Sequence, residues 1–127
     1  MTDDNAQSSL RWFKGNTHCH TSESDGDSSP ETVIDWYKSR GYDFLCLSDH
    51  NGLTAPARFQ SAQRNGFLLV PGEEMTDRCG NIPVHVNALR IAEGIPPQGG
   101  ESITEVLQRN IDAALAAGGV PHVNHPS

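Results

Sequence analysis

Gly15-Asn16-Thr17-His18-Cys19-His20-Thr21 is the stretch from which the fold and chemistry of this chain are read. Side chains of an extended strand alternate between two faces, so His18 and His20 point one way and Cys19 the other. Two imidazoles on one face make a metal clamp, and a mixed His/carboxylate set suits Zn, Mn or Fe. Upstream, residues 1–11 carry no hydrophobic periodicity and read as a flexible leader. Trp12 to His18 has the aromatic, alternating character of a first strand, weakened at Gly15. Residues 12–127 read as one domain.

Downstream, Thr21 to Ser29 is a loop rich in Ser, Asp and Gly. Ser29 is an N-cap, Pro30 the first helical residue, Val33, Ile34 and Tyr37 the apolar stripe, and Gly41 the stop. Tyr42 to Leu47 suits a buried strand, closed by the turn Ser48-Asp49-His50-Asn51-Gly52. A weaker helix covers Pro56 to Arg64. Phe67 to Val70 is the next buried strand, broken by Pro71-Gly72 and followed at once by Glu73-Glu74. Ile82 to Ile91 is extended and carries His85, and Gly94 to Gly100 is a Pro/Gly loop. Ser102-Ile103-Thr104-Glu105 is a capping box, opening a helix in which Ile103, Val106, Leu107, Ile111, Ala114 and Leu115 recur at helical spacing until Gly118-Gly119. Val120 to Asn124 is a last strand, ending at His125-Pro126.

This order predicts a largely parallel α/β architecture. Loops that follow the strands of such folds share one face, so His18/His20, Asp49/His50, Glu73/Glu74 and His125 gather on one rim. Convergence of this kind points to a site more strongly than any single motif.

Composition narrows the function. The 127 residues suit one domain, and the formal charge of −7 argues against a generic nucleic-acid-binding surface, which needs clustered Lys and Arg. No stretch approaches a transmembrane span, and the polar, acidic start is unlike a signal peptide, so a cytoplasmic protein is the default. Cys19, Cys46 and Cys79 are odd in number, widely spaced and without a CxxC, which indicates free thiols rather than a disulfide framework or a zinc ribbon. No GxSxG elbow or Walker A motif is present.

Among the remaining candidates, Asp25 lies in Ser24-Asp25-Gly26, which reads equally well as an ordinary turn or as a carboxylate brought back over the clamp. His50 is favoured as a ligand, with Asp49 as the partner that orients its ring. Glu73 and Glu74 are adjacent, so an extended chain sends one to the site and leaves the other as an exposed carboxylate. His122 stands at odd spacing from His125 and points away from it.

Taken together, His18-Cys19-His20-Thr21 with Ser24-Asp25-Gly26, Ser48-Asp49-His50-Asn51, Pro71-Gly72-Glu73-Glu74 with His85, and Asn124-His125-Pro126 resemble the PHP family, named for polymerase and histidinol phosphatase. The likeness is to its stand-alone metal-dependent hydrolases and runs from about Lys14 onward. It implies a distorted (β/α)7 TIM-like barrel with two or three metal ions at the C-terminal ends of its strands. By position, His18 and His20 resemble ligands of one metal, Asp25 and His50 ligands of another, and Glu74 the bridge between two. His85 and His125 match the family's further ligands. The family pattern also carries a late Asp-x-His pair that this sequence lacks. A barrel of this kind needs roughly 200 residues or more, so the expectation is an N-terminal part of a longer protein, truncated after the His-Pro motif.

The function so implied is hydrolysis of a small-molecule phosphate ester by a metal-activated water, with no side-chain nucleophile. The same site permits hydrolysis of an ester, amide or carbamate. A metal-stabilised accessory module without catalysis is the reading from a different class. Arg58 and Arg78 are basic residues near the motifs that are candidates to hold the substrate phosphate.

Overall fold

A computed structural model describes residues 10–63 and 65–126. Most of the leader expected over residues 1–11 falls outside them, as does Arg64. Three short strands, β1 (Gly15–Asn16), β2 (Phe44–Leu45) and β3 (Leu68–Leu69), make a parallel sheet in that order. Three more, β4 (Gly72–Cys79), β5 (Ile82–Leu89) and β6 (Val120–Val123), make an antiparallel one. Helix α1 (Pro30–Ser39) follows β1, a 3-10 segment (Pro56–Ala62) stands where a weak helix was expected, and α2 (Ile103–Ala116) precedes β6.

The mixed α/β class is as the sequence predicts, but the parallel order holds only for the first half. Gly80 and Asn81 are the two residues between the paired Cys79 and Ile82, and Gly80 takes φ +59°. A two-residue connection cannot cross over a sheet, so it turns β5 back against β4. No closed barrel is formed by the described residues. The first strand is also shorter than Trp12 to His18, and Glu73-Glu74 lie inside β4 rather than beyond a strand.

The two sheets are one structure along a bent strand. Val70 N–H donates to Leu45 O at 2.8 Å, Glu74 N–H to Asp49 O at 3.1 Å, and Asn51 N–H to Glu74 O at 3.0 Å. His50 and Glu74 form a parallel bridge in the same register that pairs Phe44 with Leu68. β3 and β4 therefore run along the β2 segment as a single strand that leaves one sheet and enters the other. Gly72 sits at the crossing, where a Cβ would lie 2.6 Å from Cys46 Sγ and 2.9 Å from Ala88 O. Only a residue without a side chain lets the backbones approach this closely.

Both helices begin as their sequences indicate. Ser29 Oγ accepts from Thr32 N–H at 3.3 Å, and Ser102 Oγ from Glu105 N–H at 3.1 Å. Glu105 returns its bond to Glu101 N–H, one residue ahead of the cap. Ile34, Leu45, Leu47, Phe59, Phe67 and Leu69 form a core under the parallel sheet, and Met75, Ala88, Ile91 and Ala114 form a second between the antiparallel sheet and α2.

A polar pin adds to the second core. Asn110 on α2, fully buried, donates from Nδ2 to Asp77 Oδ2 at 2.9 Å and accepts from Gln98 N–H at 3.0 Å. Gly99 N–H also donates to Asp77 Oδ2, at 2.9 Å. Burial pushes the Asp77 carboxyl up, but the bonds from Asn110 and the Gly99 and Arg78 amides outweigh it and hold it below the ordinary carboxylate range. A depressed carboxylate stabilises the fold fully above its unfolded pKa, and the benefit is lost as pH falls through the folded value. Asn110→Ala is expected to lower the unfolding free energy at pH 7 by about 1–3 kcal/mol. It should also flatten the acid limb of the stability profile, both read by urea denaturation across pH.

Candidate metal centre

Glu74 is the centre of the site. It is 1% exposed, and its backbone is fixed on both sides by the bonds that join β4 to the β2 segment. Period-two alternation along β4 sends Glu74 and Thr76 to one face and Glu73 to the other. His18 Nε2, His20 Nε2 and His50 Nδ1 lie 3.2, 3.0 and 3.4 Å from Glu74 Oε2. His85 Nδ1 and His125 Nε2 lie 3.1 and 3.2 Å from Oε1.

The seven residues expected as metal ligands meet here. His18 and His20 follow β1 and present Nε2 atoms 3.1 Å apart, while Cys19 turns to the core and donates to Cys46 O. Asp25 reaches back over the clamp, with Oδ2 3.2 Å from His50 Nε2 and Oδ1 3.7 Å from His20 Nδ1. His85 comes from the middle of β5 and His125 follows β6. Three groups have donor atoms within 4.8 Å of one another: His18/His20/Glu74, His20/Asp25/His50 and Glu74/His85/His125. His122 is exposed and belongs to none of them.

Two expectations are corrected. Glu73 is not an exposed carboxylate: it is fully buried on the opposite face of β4, where Ile95 N–H donates to Oε1. Burial raises its pKa against that bond. Asp49 does not touch the His50 ring, whose Nδ1 meets Thr76 Oγ1 instead. Arg58 is engaged by Glu23 through two contacts of 3.2 and 3.0 Å, and Arg78 is exposed on β4.

Two asparagines complete the surroundings of Glu74. Asn124 Nδ2 donates to Glu74 Oε1 at 3.0 Å and to Asn87 Oδ1 at 2.7 Å, and Asn87 Nδ2 donates to Thr17 O at 2.8 Å. The relay ties the segment after β1 to the antiparallel sheet through Asn87 and ends, by way of Asn124, at the Glu74 carboxylate. Asn87 was legible in principle, since it follows His85 by two on an extended strand and so shares its face.

The donor set suits a cation. Burial alone would raise the Glu74 carboxyl, but the bond from Asn124 and the contact with His18 outweigh it and hold it below the ordinary carboxylate range. Burial lowers His20 and His85 against the pull of Glu74, which keeps both rings neutral with a lone pair free. His20 Nδ1 and His85 Nδ1 are buried without a hydrogen-bond partner. More ring nitrogens face Glu74 than its two oxygens can serve by hydrogen bonding, and a positive ion among them satisfies the surplus.

Comparison with known proteins finds chains similar to this one. No family model matches the chain. A 3′,5′-nucleoside bisphosphate phosphatase of Chromobacterium violaceum is 34% identical over 111 residues, which are 81% of this chain and 38% of that protein. The 5′-3′ exoribonuclease Rnm of Salmonella typhimurium is 32% identical over 77 residues, 58% of this chain and 26% of its own. A two-domain protein of Bacteroides vulgatus described as containing a PHP-like metal-dependent phosphoesterase superposes with TM-score 0.66 at 23% identity, covering 91% of this chain and 35% of that one. The likeness in sequence and fold is thus to PHP-like metal-dependent phosphoesterases. A structure from Bifidobacterium adolescentis, assigned as a metal-dependent phosphoesterase by prediction, adds TM-score 0.52 at 27% identity, over 61% of this chain and 27% of that one. The chain spans about two fifths or less of each of these relatives' length. No helix among the described residues is long and apolar enough to cross a membrane.

The amide relay makes a direct prediction. Asn87→Ala strands Thr17 O and the Asn124 amide in a buried setting, and is expected to cost about 1–3 kcal/mol of unfolding free energy. Denaturation of the metal-free protein checks it, and an unchanged midpoint would contradict the relay.

Proposed function

We propose that this chain supplies the metal-binding part of a phosphoesterase that holds two or three divalent ions and hydrolyses a small-molecule phosphate ester. One observation carries the reading: a carboxylate removed from water, Glu74, has ring nitrogens of His18, His20 and His50 around one oxygen and of His85 and His125 around the other. Bound Zn, Mn or Fe ions would supply a lowered water pKa and compensation for charge on the phosphate oxygens.

The chain's own residues have separable tasks. His18 and His20 would hold one ion with one oxygen of Glu74, His85 and His125 another with its second oxygen, and Asp25 and His50 beside His20 would offer a further place. Asn124 orients the Glu74 carboxylate. Cys19 and Cys46 are not nucleophiles, because burial pushes each thiol up to about 12. Beside His85 and His125 opens a groove of about 460 Å³ walled by Ile82, Val84, Ile103 and Leu107, with room for the organic part of an ester. In the whole protein we place these elements in a distorted (β/α)7 barrel, whose remaining strands continue from the two sheets. No basic cluster lines the described site, which favours a small ester over a long nucleic acid.

The test pairs metal content with hydrolysis. The purified protein is expected to retain two or more equivalents of Zn, Mn or Fe by elemental analysis and to prefer aryl phosphates to aryl esters. Glu74→Ala should remove most of the metal and lower kcat/KM by about 100-fold or more. Preference for the ester panel would move the function to a carboxylic ester or amide hydrolase. Stoichiometric metal with no hydrolysis on either panel would favour an accessory module.

A further inference from the structure

Asp49 is a buried carboxylate with several hydrogen bonds, yet none of them is to the ring nitrogens. It is 2% exposed and accepts four hydrogen bonds: from Thr21 N–H at 2.7 Å, Thr21 Oγ1 at 2.9 Å, Ser24 Oγ at 2.7 Å and Thr54 Oγ1 at 2.6 Å. Burial raises its pKa, and these bonds outweigh that and hold it ionised. Three of the four donors belong to the loop after the histidine clamp. The same loop curls back on Thr21 O, which accepts from Ser24 N–H at 3.1 Å and Gly26 N–H at 2.9 Å.

Asp25 lies inside this curl but is not held by packing of its own. Its side chain is 67% exposed, and its contacts are with His50 Nε2 at 3.2 Å and His20 Nδ1 at 3.7 Å. The loop can take this path only because Gly26 passes against the clamp strand, where a Cβ would lie 2.7 Å from His20 O. The position of an exposed carboxylate on a loop is set by what anchors the loop, and the anchor is a charge on β2's exit, one residue before His50.

We propose that Asp49 is a positioning residue for the His20/Asp25/His50 group: by fastening Thr21 and Ser24 it sets Asp25 against the two rings. The inference rests on the metal-binding reading above and adds to it a division of labour. Glu74 builds the His18/His20 and His85/His125 groups through the strands, whereas Asp49 builds the remaining group through a loop. Thr54, on the segment after β2, completes the Asp49 carboxylate from outside that loop.

The test uses variants that spare the buried charge. Mn²⁺ binding to the whole chain is followed by calorimetry in wild type, Asp25→Ala, Ser24→Ala, Ser24→Thr and Thr54→Val, with urea midpoints of the metal-free proteins measured alongside. Asp25→Ala should weaken one class of Mn²⁺ sites about 10-fold or more, and Ser24→Ala should reproduce that loss with little change in the urea midpoint. Ser24→Thr, which keeps the hydroxyl, should restore it, and Thr54→Val should lower the midpoint while leaving Mn²⁺ affinity intact. Wild-type affinity in Ser24→Ala beside weakened binding in Asp25→Ala would overturn the positioning role and leave the metal reading standing. Losses in Ser24→Ala and Thr54→Val that merely track their urea midpoints would reduce Asp49 to a structural role. Wild-type binding in Asp25→Ala would likewise overturn the inference. No Mn²⁺ bound by wild type would overturn it together with the metal reading.

Discussion

Burial of the Glu74 carboxylate is the constraint on which the rest of the structure turns. An ionised carboxylate taken out of water is costly unless charge or hydrogen bonds replace the lost hydration. Here the replacement comes from every part of the fold: β1 brings His18 and His20, the β2 exit His50, β5 His85, and the β6 exit Asn124 and His125. The backbone on either side of Glu74 is the seam between the sheets. The strand that carries the charge therefore also joins the two halves of the molecule, and fold and site are not separable.

That coupling explains the polar interior. Asn87 and Asn124 are nearly or fully buried, and both are spent on bonds that end at Glu74 or at the backbone of the clamp. Buried polar networks of this kind are unfavourable when half satisfied and specify one arrangement when complete. Asp49 stands in the same relation to the loop that bears Asp25. Two buried carboxylates thus organise the donor set, one from within and one from behind.

Much of this was legible in the sequence, and the reasons are physical. The His18/His20 spacing, the Ser29 and Ser102 caps and the apolar stripe of α2 depend on local periodicity and local bonds, which one chain displays. Asp25 and Glu74 needed the family resemblance, because spacing alone left them balanced against Asp25 as a turn and Glu73 as a rival. The parallel order failed after β3, although Gly80-Asn81 between two extended runs is a short hairpin signal. It was outweighed by the strand and helix order. Glu73 was misjudged as exposed because strand alternation tells which face a residue takes, not what covers that face, and the cover is the loop at Ile95. Adjacency in sequence pairs Asp49 with His50, whereas three of its four hydrogen bonds come from Thr21 and Ser24, 28 and 25 residues away.

The most direct measurement of the central claim is X-ray absorption at the metal edge of the zinc-loaded chain. Several histidine rings and a bridging Glu74 should give mixed nitrogen and oxygen neighbours at about 2.0–2.2 Å, with the outer-ring scattering that imidazole produces. An oxygen-only environment without imidazole scattering would contradict it, since zinc would then be bound elsewhere than among the histidines around Glu74.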